Sequence, residues 1–160
     1  MFAGEEVEFP HSLLEEAIRL DPNGVLAWIW GGWAKILLGD HHRAVTYAQR
    51  ALRLNPIDPR VAWAEYVLAH AHFFLGNYEE GLRLAVSFRR HVPNHLIGLR
   101  IEMACNAFLG NTEAAKSLWR EHAALSPGRA RVSNTPKRFR GRPQDVAKLQ
   151  EAFRIAGMPE

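Results

Sequence analysis

The sequence predicts an all-α, right-handed solenoid of helix-turn-helix repeats, closed by a C-terminal capping helix. Three observations carry that prediction. Leu-Gly pairs recur at Leu38-Gly39, Leu75-Gly76 and Leu109-Gly110, each between two helix-like segments. A proline follows each of these glycines 17 residues later, at Pro56, Pro93 and Pro127. The second and third glycines are 34 residues apart and the first and second 37, a period that marks stacked helical hairpins.

The elements follow in order. Residues 1–10 are an extension too short and too acidic (Glu5, Glu6, Glu8) for a helix that could pack. Residues 11–22 read as the second half of a repeat, with Ala17 small, Leu20 large and Pro22 closing. Its first helix is missing, so either the array starts with a lone half-repeat or, the favoured reading, the chain is cut from a longer protein. Three full repeats span 25–58, 62–95 and 96–129, so the array covers 11–129. The three extra residues between the first two fall in Asn55-Pro56-Ile57-Asp58-Pro59-Arg60-Val61, whose two prolines predict an extended turn. Residues 130–142 form a basic connector. With the end of repeat three it holds Arg129, Arg131, Lys137, Arg138, Arg140 and Arg142 and no acid. Residues 143–157 read as the capping helix: Pro143 starts it, Asp145 lies in the first turn, Val146, Leu149, Phe153 and Ile155 form its apolar set, and Gly157 ends it.

Within each repeat, residues are numbered from one. Position fifteen is the glycine between helices, where a positive φ ends the first helix. Position thirty-two is the proline that stops the second. Small residues at eight and twenty (Gly32, Ala69, Ala44, Ala115) let antiparallel helices approach closely, and large ones such as Trp28 and Trp119 fill the space beside them. Ala51 keeps position twenty-seven small in repeat one. Gly81 at twenty, and Phe88 and His122 at twenty-seven, depart from this pattern and predict local changes in packing.

These positions resemble the tetratricopeptide repeat consensus. A narrower resemblance rests on Ala27-Trp28-Ile29-Trp30-Gly31-Gly32-Trp33, on Leu54-Asn55-Pro56-Ile57-Asp58-Pro59, on Ala71-His72-Phe73-Phe74-Leu75-Gly76-Asn77-Tyr78-Glu79-Glu80, and on the Gly157-Met158-Pro159-Glu160 end. Residues 13–160 look like the C-terminal tetratricopeptide region of bacterial class III adenylate/guanylate cyclases. The resemblance implies part of a bacterial signalling protein, with a catalytic domain upstream. No paired metal-binding aspartates in a strand-rich pattern occur here, so cyclase activity does not carry over. Similar arrays also follow DNA-binding domains in bacterial regulators, and a homodimerisation module of a cyclase is a further reading.

Composition narrows the class. Apolar residues make up 48%, enough for a continuous core, and the net charge of +3 does not call for nucleic acid. The single Cys105 excludes an internal disulfide. The N-terminus carries acids where a secretory signal has bases, and the longest apolar stretch, 25–34, is too short to span a bilayer. A soluble, cytoplasmic protein without membrane contact is expected.

In arrays of this kind positions two, five, nine and twelve of the first helices face the concave groove. Here they are Leu26, Ile29, Trp33 and Ile36, then Trp63, Tyr66, His70 and Phe73, then Ile97, Arg100, Ala104 and Ala107. The wall is apolar and aromatic for two repeats, which disfavours clamping of acidic tails and leaves Arg100 as the lone candidate clamp. Such a surface needs cover. Three covers are open: Phe139 and the closing helix of the chain itself, an apolar or amphipathic partner helix, or a second copy. The expected partner is a protein or peptide.

No catalytic constellation stands against this. His70 and His72 are two apart on a helix and point opposite ways. His41-His42 follows Asp40, which reads as an N-cap. No set of ligands converges as zinc requires, and no cofactor motif is present. Cys105, inside an apolar helix, reads as an inert packed thiol. The basic connector could touch phosphates, but it lacks an accompanying nucleic-acid motif; a solvated linker facing acidic helix surfaces such as Glu79-Glu80 is the plainer reading. The chain reads as a non-enzymatic interaction module.

Overall fold

The computed structural model describes residues 11–135 and 142–160. The extension 1–10, and Lys137, Arg138, Phe139 and Arg140 of the connector, lie outside the described residues. Eight α-helices appear among them, with no strand: α1 (His11–Leu20), α2 (Val25–Leu38), α3 (His41–Leu54), α4 (Ala62–Leu75), α5 (Tyr78–His91), α6 (Leu96–Phe108), α7 (Thr112–Leu125) and α8 (Pro143–Ile155). Helices α2 and α3, α4 and α5, and α6 and α7 pair as hairpins. Each hairpin stacks on the next, through α3 on α4 and α5 on α6, and α1 packs on α2.

The glycines end the first helices by the geometry their position demands. Gly39, Gly76 and Gly110 have φ of +77°, +86° and +78°, a region that side chains with a Cβ avoid. In each case the next residue donates its backbone N–H back to a carbonyl in the last turn: Asp40 to Lys35 at 2.9 Å, Asn77 to His72 at 2.8 Å and Asn111 to Asn106 at 2.9 Å. That is the Schellman arrangement, made three times. Asp40 then caps α3 by accepting from the Arg43 N–H at 3.2 Å.

The small positions do the packing work. Ala44, Ala51, Ala69 and Ala115 have no exposed surface. A Cβ added to Gly32 would meet Val67 Cγ1 at 3.2 Å, so α2 and α4 touch through that gap. Gly81 accommodates its neighbours in the same way: a Cβ there would come within 3.0 Å of Cys105 Sγ and 3.3 Å of the Ala69 carbonyl. Phe88, the large residue where a small one is usual, is fully buried, and the next helix makes room for it. A Cβ on Gly98 would stand 2.8 Å from Phe88 Cε1. The departure at position twenty-seven is matched by a missing side chain across the interface.

Two stretches are more ordered than the sequence suggests. The insertion between repeats one and two is not extended throughout: Pro59–Val61 forms a 3-10 turn that runs into α4. Pro59 presets its first residue, and Asp58 accepts from the Arg60 N–H at 2.9 Å and from Arg60 Nε at 2.9 Å. The expected solvated connector also differs. Pro127–Arg129 and Val132–Asn134 form 3-10 turns, with Ala130, Val132 and Thr135 buried. Glu80, read as a partner for that connector, pairs with Arg83 of its own helix at 2.6 Å.

Candidate interaction surface

Trp33, Trp63, Tyr66 and His70 of the first helices form one connected cluster. The Trp33 ring lies 4.9 Å from Tyr66 and 5.0 Å from His70. Tyr66 continues to Trp63 at 5.8 Å and to Phe88 at 5.2 Å. His70 Nδ1 lies 2.8 Å from the Tyr66 carbonyl and donates to it, which fixes the tautomer. The cluster is packed: Trp33, Tyr66 and His70 are at most 4% exposed, and Ile29, Ile36 and Phe73 have no exposed surface. Trp63 is half-buried. Leu26 sits apart from this wall. It is exposed and borders a polar cleft between the turn before α2 and the turn after α3, with Asp21, Asn23 and Asp58.

Arg100 does not project as a clamp. Its guanidinium is buried and turned on the chain itself. Nε donates to His122 Nε2 at 3.1 Å, Nη1 to the Asn134 carbonyl at 2.9 Å and Nη2 to the Arg129 carbonyl at 2.6 Å. The sequence hides this role, because the partners lie 22 to 34 residues downstream. One signal was present: Arg100 stands between Leu99 and Ile101 in the sequence, and a charge set in an apolar run must be satisfied internally. His122 is held in turn. Burial, then the neighbouring Arg100 charge, pushes its imidazole down to about 4. It is neutral and accepts the arginine's hydrogen bond.

Helix α8 packs on α6 and reaches the other two hairpins through individual bonds. At its start, Arg142 Nη1 donates to the Gly39 carbonyl at 3.3 Å, and Asp145 Oδ2 meets His41 Nε2 at 3.1 Å. His41 stacks on Phe74 at 4.7 Å, and burial lowers its imidazole against the raising influence of Asp145. In the middle, Lys148 Nζ donates to the carbonyls of Phe73 at 2.9 Å and Phe74 at 3.3 Å. Near the end, Phe153 lies 5.5 Å from the Arg100 guanidinium, and Leu149, Ala152 and Phe153 are buried. The Val132 N–H donates to the Pro159 carbonyl at 2.7 Å, which ties down the last residues.

Gly39 holds the start of this arrangement, against Arg142. A Cβ there would fall inside the Arg142 guanidinium, whereas none would meet anything at Gly76 or Gly110. Gly76→Ala and Gly110→Ala are therefore expected to cost about 1–2 kcal/mol each, from φ alone. Gly39→Ala is expected to cost more than either, because Arg142 must also leave. Thermal unfolding of the three variants checks the order.

A family model described as tetratricopeptide repeat matches residues 26–58. Solved structures extend the likeness over the chain. The fold is a tetratricopeptide-type α-solenoid. A double mutant of MamA RS-1 superposes with a TM-score of 0.64 at 19% identity, covering 92% of this chain and 81% of that one. A crystal structure of MamA gives a TM-score of 0.65 at 15% identity, with 91% and 84% covered. MamA from residue 41 to its end, from Desulfovibrio magneticus RS-1, gives 0.64 at 19%, with 92% and 81% covered. At these identities the likeness speaks for the solenoid alone. No curated protein matches the sequence. The resemblance to cyclase-associated arrays gains no support from these matches.

Among the described residues no group of three or more His, Cys, Asp or Glu could hold a metal ion. No helix among them is long and apolar enough to cross a membrane. Burial pushes the Cys105 thiol up to about 12, which removes it as a nucleophile at neutral pH.

Proposed function

We propose that the chain is a non-catalytic protein-interaction module whose first helices receive an amphipathic helix, with α8 as the occupant in this state. One observation supports the reading above the rest. A helix is seated on that side by specific bonds at Gly39 and His41, at Phe73 and Phe74, and beside Arg100. A surface that holds its own helix this way has the groove chemistry that helix-in-groove recognition uses. The wall residues Ile29, Trp33, Ile36, Trp63, Tyr66, His70 and Phe73 then serve as the rigid packing behind the seat. Leu26 lies outside it, and Arg100 supports its far end. Homodimerisation through the same side would need α8 to vacate it first. The link to a bacterial signalling protein rests on the sequence resemblance, and a cytoplasmic setting on composition.

The test uses the full chain with Phe153→Glu, which places a charge in the buried stripe of α8 and releases it. A fluorescent peptide of residues 143–158 is expected to bind this variant and to bind the wild-type chain far more weakly. Anisotropy reads the binding, and circular dichroism reports that the array is intact. An intact variant that ignores the peptide at high micromolar concentration removes the reading.

A further inference from the structure

The seat of α8 contains one contact of unusual chemistry. Lys148 Nζ lies over three aromatic rings, 5.1 Å from Phe73, 4.9 Å from Tyr78 and 5.8 Å from Phe108. The rings also contact one another. Tyr78 stacks on Phe108 at 5.0 Å, and Phe73 lies 5.8 Å from Tyr78 and 5.7 Å from Phe108. The ammonium's hydrogen bonds run to the carbonyls of Phe73 and Phe74, in the last turn of α4. No carboxylate among the described residues forms an ion pair with it. The pocket therefore balances a positive charge with ring faces and the negative end of a helix.

The residues of α8 on this side fall at 145, 148, 149, 152 and 153. That is the i, i+3, i+4, i+7, i+8 stripe of one helical face. Asp145, Leu149, Ala152 and Phe153 of this stripe are buried. Read along the helix, the array takes an acid, a lysine, an aliphatic residue, a small residue and an aromatic one. The aliphatic and aromatic positions are what any greasy groove would accept. The lysine position is selective, because three rings lose their cation and the Phe74 carbonyl its ammonium donor when an apolar side chain takes its place, while the Phe73 carbonyl keeps the Gly76 N–H at 3.1 Å.

We infer that Phe73, Tyr78, Phe108 and the C-terminal carbonyls of α4 form a lysine-reading subsite. Lys148 fills it here, and a partner helix that replaces α8 must present a lysine at the same point of its stripe. This rests on the proposal that the first helices receive a helix. It adds which helix: an amphipathic one whose buried face carries an ammonium three residues after an acid. An arginine is a poorer fit, since its planar fork is longer and cannot direct a compact charge into the ring faces while reaching both carbonyls.

Three labelled peptides of residues 143–158 test it on the full Phe153→Glu chain: the native sequence, Lys148→Met and Lys148→Arg. Native peptide is expected to bind about tenfold tighter than the methionine peptide, with arginine between them. On a chain that also carries Phe108→Leu, the lysine preference is expected to shrink to about twofold while the methionine peptide keeps its affinity. Equal binding of native and methionine peptides overturns the subsite and leaves helix reception standing. Binding of none of them by the intact variant overturns both. If Phe153→Glu does not fold, hydrogen exchange on the otherwise native chain decides. Lys148→Met should speed exchange of α8 amides about tenfold, with α2 to α7 unchanged. Unchanged α8 protection rejects the inference.

Discussion

Phe88→Ala is expected to lower stability by about 3–5 kcal/mol, among the largest losses available to one side chain here. Phe88 has no exposed surface and packs against three residues of its own repeat and one, Gly98, across the repeat boundary. Its ring lies 5.3 Å from Trp63, 5.2 Å from Tyr66 and 5.3 Å from His95, and it faces Gly98. His95 is itself fixed, since its Nδ1 accepts the Gly98 N–H at 3.0 Å and caps α6. The cavity left by the ring is walled by held groups and cannot collapse freely. Gly98 supplies a sharper check. In the native chain Gly98→Ala forces its Cβ on the ring and should cost about 1–3 kcal/mol. In the Phe88→Ala background the same change should become stabilising by about 0.5–1 kcal/mol, because the clash is gone and alanine favours helix. Urea unfolding of the four chains measures the cycle. An unchanged sign for Gly98→Ala would show that the two residues are not matched.

Acid should destabilise the chain through His122, by about 3 kcal/mol between pH 6.5 and 4. The imidazole sits at about 4 in the folded state and near its ordinary value of about 6.5 when unfolded. In that window the unfolded chain binds the extra proton, so stability is complete above the unfolded value and drains away as pH falls towards the folded one. His41, lowered by burial, acts with the same sign. Glu102 opposes them, since burial raises its carboxyl and its proton favours the folded state as pH drops. His122→Asn isolates the histidine: urea midpoints at pH 7, 5.5 and 4.5 should converge relative to wild type. Arg100→Met removes the cation that helps hold His122 neutral. It should cost about 2–4 kcal/mol at pH 7 through lost charge-assisted hydrogen bonds, and narrow the acid-sensitive window. A wild-type midpoint that does not move with acid would refute the account of this pair.

The solenoid was legible in the sequence because its signals are local. A glycine that must take a positive φ and a proline that must stop a helix act within one turn, and Gly39, Gly76, Gly110, Pro56, Pro93 and Pro127 announce themselves without a partner. The seat of α8 depends on pairs far apart. Arg142 reaches Gly39 across 103 residues, and His41 reaches Asp145 across 104. No spacing rule marks such pairs. The apolar set Val146, Leu149 and Phe153 did show that α8 has a face to bury, but not against which helices. Position five makes Arg100 read as a groove-facing clamp, but its guanidinium bonds to His122, Asn134 and Arg129 of its own chain. Its neighbours after residue 126 fold back as two short turns instead of leaving as a linker.

A stack of hairpins joined only to its neighbours behaves as a spring, whose pitch and curvature shift with little resistance. The α8 brace changes that mechanics, since one rigid rod is fastened to three successive coils. Bending between any two of them must stretch a fastening, so the coils between Gly39 and Phe153 gain a common elastic stiffness. Helix α1 sits beyond the brace and is held by its neighbours alone, through Glu15 to Lys35 at 2.6 Å and to Tyr47 at 3.0 Å. Lifting α8 away would slacken the whole spring at once.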